Sequence, residues 1–95
     1  MKTKKTKEGI VVTFEDRELW NLDMILSSII RQGIEQFRKM DPTSYPGFME
    51  NREEWDNALD EMIEAFKLCE TGDDMENKSA KGLKIFAEYF RCLWN

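Results

Sequence analysis

Three stretches of this chain space their apolar residues three and four apart, and that periodicity commits most of it to amphipathic helices. Leu22, Ile25, Leu26, Ile29, Ile30, Gly33, Phe37 and Met40 share one face of a first helix over residues 17–40, and Ile34 widens that face. Trp55, Ala58, Leu59, Met62, Ile63, Phe66 and Cys69 form the stripe of a second, over 52–70. Met75, Ser79, Gly82, Leu83, Phe86, Phe90 and Leu93 mark a third, over 74–94. Ile85, Ala87, Tyr89 and Trp94 spread apolar surface further round that third helix than one neighbour needs.

The breaks between the stripes carry their own signals. Asp41-Pro42 ends the first helix, because proline disfavours the helical conformation of the residue before it. Thr43-Ser44-Tyr45-Pro46-Gly47 has turn chemistry, after which Phe48 and Met49 fold back on the core. Asn51 caps the second helix with Glu54 three residues on, and Gly72 stops it. Asp73 or Asp74 caps the third. Gly33, on the apolar stripe, predicts a close helix crossing where a side chain would not fit. The expected fold is all-α: a compact three-helix domain over residues 10–95, preceded by a basic flexible tail over 1–9. Ile10 to Phe14 is β-branched and short, an extended or strand-like arm. No second strand is evident, so it pairs with its own copy in a dimer or packs as an arm.

Charge is unevenly placed. The 95 residues carry 14 Lys+Arg and 19 Asp+Glu, a net of -5. Lys2, Lys4, Lys5 and Lys7 all precede residue 8, so residues 8–95 hold ten bases against nineteen acids, net -9. An acidic body argues against duplex-DNA binding, which needs Lys and Arg on one face. No apolar run approaches the ~18–20 residues of a membrane span, so no membrane partner is expected. No apolar h-region of a secretion signal follows the lysines, so no signal peptide is expected.

Catalysis finds few materials here. There is no histidine and there are two cysteines, too few for a disulfide framework or a four-cysteine zinc site. Cys69 and Cys92 lack an activating base in sequence, and two cysteines without a secretion signal fit a reducing cytosol. Asp56, Asp60 and Glu64 line one helix face, but without calcium-loop spacing or a Glu-x-x-His partner they read as a solvated acidic face. No phosphate-cradling glycine loop or nucleophile elbow occurs. The chain is expected to be no enzyme and to need no cofactor or metal.

The remaining chemistry is arginine with aromatics, the composition of interaction hot spots and of sites that stack a base and clamp a phosphate. Trp20, Arg31, Arg38, Tyr45 and Arg91 are the candidate ligand-binding residues, with Tyr89 beside them. Arg31 and Arg38 lie seven apart on one helix face, off the apolar stripe, and are expected to reach outward. The surplus apolar surface of the third helix points to a homo-oligomer, the alternative being that the Ile10–Phe14 arm folds over it.

Trp20-x-Leu22-Asp23, Tyr45-Pro46-Gly47, Glu54-Trp55-Asp56-x-x-Leu59-Asp60-x-Met62-Ile63-x-Ala65-Phe66 and Gly82-Leu83-x-Ile85-Phe86-Ala87-x-Tyr89-Phe90-x-x-Leu93-Trp94 together resemble a family of small proteins encoded by tailed bacteriophages and prophages. The resemblance runs from Trp20 to the C-terminus, rests mostly on core positions, and carries over no catalytic residue. It implies a phage accessory protein in the host bacterial cytoplasm that counters host defence by binding. Such a protein blocks a host defence protein or sequesters a nucleotide immune signal, cyclic or of ADP-ribose type. The alternatives are an acidic inhibitor of a host nucleic-acid-binding enzyme, with Glu50 to Glu70 in a basic groove, and a virion assembly module.

Overall fold

A computed structural model describes residues 1–40, 45–72 and 77–94. Its elements in chain order are β1 (Lys2–Thr6), β2 (Gly9–Thr13), α1 (Asp16–Trp20), α2 (Leu22–Lys39), α3 (Arg52–Thr71) and α4 (Ala80–Tyr89), the last running into a 3-10 turn at Phe90–Cys92. The molecule is mostly helical, with a two-stranded antiparallel sheet at its N-terminus.

The lysine segment is the missing partner strand. β1 pairs with β2 in the register Lys2↔Thr13, Lys4↔Val11 and Thr6↔Gly9, leaving Lys7 and Glu8 as the turn. The Thr6 hydroxyl fastens that turn, donating to the Gly9 carbonyl at 3.1 Å, and Gly9 adopts φ +140, a conformation open to glycine. The expectation of a free tail and an unpaired strand therefore gives way to a hairpin. The composition hid it: β1 is made of lysine and threonine alone, without one apolar residue, so it carries no hydrophobic signal of a strand.

The first predicted helix is two. Asn21 leaves the helical region at φ -124, ψ 40, so α1 ends at Trp20 and a new helix begins on the Asn21 carbonyl, which accepts from the Met24 and Ile25 amides at 3.0 Å each. The other end of α2 agrees with expectation: Met40 turns extended at ψ 156. Asp41-Pro42, the Thr43-Ser44 part of the turn, the Asp73 or Asp74 cap and Met75 lie outside the described residues. The third helix begins at Ala80.

α3 holds the molecule together. Asn51 Oδ1 accepts from the Glu54 amide at 2.9 Å, and the Glu54 carboxylate accepts from the Glu50 amide at 2.9 Å. The predicted cap thus forms, with Glu54 reaching back one residue further than a capping box does. Gly72 ends α3 in the left-handed conformation at φ 72. Trp55, Leu59, Met62, Ile63, Ala65 and Phe66 of α3 are buried, whereas α2 buries Ser27 and Ile34, and α4 buries Gly82. Met49 tucks into the core as expected, but Phe48 stays 65% exposed and stacks on Tyr89, ring centroids 5.5 Å apart.

The close helix crossing lies at Gly82, not Gly33. A Cβ on Gly82 would collide with the Ala65 side chain and the Glu61 carbonyl of α3, while a Cβ on Gly33 would meet nothing within 4 Å. Both glycines sit on apolar stripes, and helical spacing alone does not reveal which one faces a backbone.

α2 and α4 both rest on α3, yet among the described residues no Cα of α2 comes within 8 Å of α4. With the hairpin standing off the helices as well, the whole chain has extents 44 × 41 × 20 Å and a radius of gyration of 14.8 Å. A close-packed domain of this length would have a radius of gyration of about 12 Å.

Candidate binding site

The predicted ligand-binding residues do not converge. Trp20 ends α1, 79% exposed. Arg31 and Arg38 share a face of α2, as their spacing requires, but that face lies along α3. The Arg31 Nε and Nη2 donate to the two carboxylate oxygens of Glu70, the second at 3.0 Å, and its Nη1 donates to Glu35 at 2.9 Å. Arg38 Nε donates to Asp60 at 3.0 Å and its Nη1 lies 3.8 Å from Asp56. The two arginines bridge helices instead of reaching outward. The hydrogen bonds to Glu70 and then Glu35 raise the Arg31 pKa, and the same Arg31 contact holds the Glu70 carboxyl below its ordinary value. Asp60 likewise raises the Arg38 pKa.

The acidic row is correspondingly occupied. Asp56 accepts from Arg52 at 3.0 Å, Asp60 faces Arg38, and Glu64 lies 3.5 Å from Lys67. Among the described residues no group of three or more His, Cys, Asp or Glu side chains is placed to hold a metal ion.

Tyr45 does meet a pocket. Tyr45, Pro46, Gly47, Phe48, Trp55, Cys92 and Trp94 surround a cavity of about 310 Å³. Tyr89 backs it, stacked on Phe48 and edge-on to Trp55 at 6.1 Å. Trp94 is 76% exposed at its rim. Arg91 stands exposed in the 3-10 turn, next in sequence to Cys92. Both cysteines are half-buried and free.

The larger feature is one the candidate residues missed. Among the described residues no Cα of α2 comes within 8 Å of a Cα of α4, although both helices pack on α3, and the apolar stripes of the two face each other across an open cleft. Ile30, Gly33, Ile34 and Phe37 form one wall of a cavity of about 250 Å³, with Phe86, Phe90 and Leu93 opposite. The cleft continues past Ile30 into a depression of about 540 Å³ beside Leu26, Phe66, Cys69 and Leu83. Phe86 packs edge-on to Phe66 at 4.9 Å and to Phe90 at 5.4 Å, and Phe90 remains 59% exposed. The sequence did hold a signal: the α2 stripe, like that of α4, is wider than one neighbouring helix covers. Gly33 keeps the cleft open where a larger side chain would narrow it.

No described helix is long and apolar enough to cross a membrane. Compared with known proteins, the chain matches no family model, no curated protein and no solved structure.

Proposed function

We propose that this chain is a non-enzymatic binding protein whose α2–α4 cleft receives an amphipathic helix of a partner protein. The observation that carries the reading is the pair of facing apolar stripes, separated by more than a helix contact yet joined below by α3. From Leu26 to Phe37 the α2 wall spans about 16 Å at 1.5 Å per residue, three turns of helix. An apolar groove of that length favours recognition through i, i+3, i+4 and i+7 anchors. In the setting that the resemblance to tailed-phage proteins implies, the partner is a host defence protein and the outcome is its blockade. The ion pairs on Asp56, Asp60 and Glu64 favour this apolar route over mimicry of nucleic acid, because those carboxylates already have cationic neighbours.

The test is Phe90→Asp, which places a charge at an exposed cleft wall. The variant should keep its helical circular dichroism, lose a partner that the wild type retains from infected cells, and lose protection of phage. Unchanged partner retention and protection would overturn the cleft as the working surface.

The aromatic pocket supports a second reading, sequestration of a nucleotide. Tyr45 and Trp94 there offer ring faces for a base, and a cavity of about 310 Å³ sits at the lower end of the small-ligand range of about 300–1,000 Å³. Native mass spectrometry of the protein from bacterial cytosol tests it. A released nucleotide that disappears in Trp94→Ala supports sequestration, and protein with nothing bound counts against it.

A further inference from the structure

The hairpin stands apart from the helices. Every residue of both strands is exposed, and no strand Cα lies within 8 Å of a helix Cα among the described residues. The Met1 amine forms an ion pair with Glu18 of α1 at 2.7 Å, tying the hairpin to the body. A two-stranded hairpin on its own is marginally stable in water.

Its two free edges differ in kind. β1 reads KTKKT, and β2 reads GIVVT with no charge at all. Ile10, Val11 and Val12 are 67%, 51% and 38% exposed. Lysine on an exposed edge blocks pairing with another chain; β1 has that protection and β2 lacks it. Alternate β2 peptide groups point away from β1 and are open to a further strand.

We propose that β2 pairs antiparallel with β2 of a second copy, about a two-fold axis through Val11, to form a four-stranded sheet in the order β1-β2-β2-β1. Val11 then faces the partner's Val11, and Ile10 faces the partner's Val12. The pairing is self-complementary, as a two-fold interface must be. Ile10 and Val12 alternate onto one face, so the two copies join these apolar residues into one surface.

Charge decides which edge pairs. Joining β1 to β1 would set the lysines of two copies one strand spacing apart, about 5 Å, where like charges destabilise. Joining β2 to β2 holds the two lysine strands three spacings apart, about 14 Å, beyond the ~8 Å screening length at physiological salt. The same arrangement puts lysine on both outer edges of the sheet, where it stops further growth. The inference is independent of the cleft and of what the cleft binds.

Sedimentation of the full chain across a concentration series, with Val11→Glu as the variant, tests it. Val11 is the cross-strand neighbour of Lys4, so the new carboxylate gains an opposite charge within its own hairpin and meets its own copy at the two-fold axis. The wild type should be a dimer, and Val11→Glu a monomer with the same helical circular dichroism. A monomeric wild type, or a dimer that survives Val11→Glu, would overturn the proposal. Cross-linking provides a second readout. Val11→Cys should give a disulfide-linked dimer under mild oxidation, and Lys4→Cys on the far strand should not. Equal cross-linking of the two, or none in Val11→Cys, would refute the β2-to-β2 register.

Discussion

Arg31 of α2 grips Glu70 of α3 with two guanidinium nitrogens, and a fourth-residue neighbour, Glu35, takes a third. With Arg38 on Asp60 further along, the two pairs fix the antiparallel register of α2 on α3. Planar, bidentate pairing of this kind adds geometric specificity to charge, and lysine at position 31 would not reproduce it.

Stability should fall in acid for a reason that can be traced to Glu70. Its folded pKa lies below the unfolded value, with Arg31 the leading cause. The unfolded chain therefore binds protons first, at about 4.3 for a glutamate. The contribution of the pair is complete above that value and is lost as pH falls through the folded one. Glu18 adds to the same limb, held down by the Glu15 amide and then by the terminal amine. Thermal melts between neutral pH and pH 3 should show a shallower acid decline in Glu70→Gln, from a lower starting point at neutrality.

The two helical glycines should respond to alanine with opposite signs. Gly82→Ala forces a methyl into the Glu61 carbonyl and the Ala65 side chain, an overpacking cost of about 1–3 kcal/mol. Gly33→Ala meets open space and should stabilise by about 0.5–1 kcal/mol through helix propensity. Urea denaturation of both variants reads the two shifts directly, and equal signs would contradict the packing of α4 on α3.

The start of α3 depends on one side chain. Asn51→Ala removes the acceptor of the Glu54 amide and should cost about 1 kcal/mol. Asn51→Ser or Asn51→Asp should restore most of the loss in the same denaturation assay.

The open cleft should be visible without any partner. A fluorescent dye that reports exposed apolar surface should bind the native chain, and Phe90→Asp should weaken its signal while the melting temperature stays close to that of the wild type. Truncating the core instead, as in Met62→Ala at a fully buried position, should cost about 2–5 kcal/mol.

Much of the helical layout was legible in sequence because its causes are local. The Trp55–Phe66 stripe, the Asn51 cap and the Gly72 stop each depend on residues within a few positions of one another, and all three appear in the structure. The break at Asn21 was not legible, since it interrupts a stripe that continues on both sides. Strand β1 escaped because its lysines and threonines bury nothing, and a strand defined by its pairing alone leaves no hydrophobic trace.

The assignment of faces required the tertiary structure. Arg31 and Arg38 were identifiable as one face of α2 from their spacing, but α3 happens to lie along that face, so the arginines pair with Glu70 and Asp60 and Arg31 and Arg38 do not form an outward-facing clamp. Gly33 and Gly82 are equivalent in sequence pattern, and the packing of α4 on α3 decides that Gly82 takes the close approach. Sequence by itself determined where the body of each long helix lies and how much apolar surface it carries, because propensity, periodicity and capping act over a few residues. Only the tertiary structure decided which of that surface is covered, because burial depends on where the neighbouring helices lie, and α2 and α4 share α3 while, among the described residues, no Cα of one comes within 8 Å of the other.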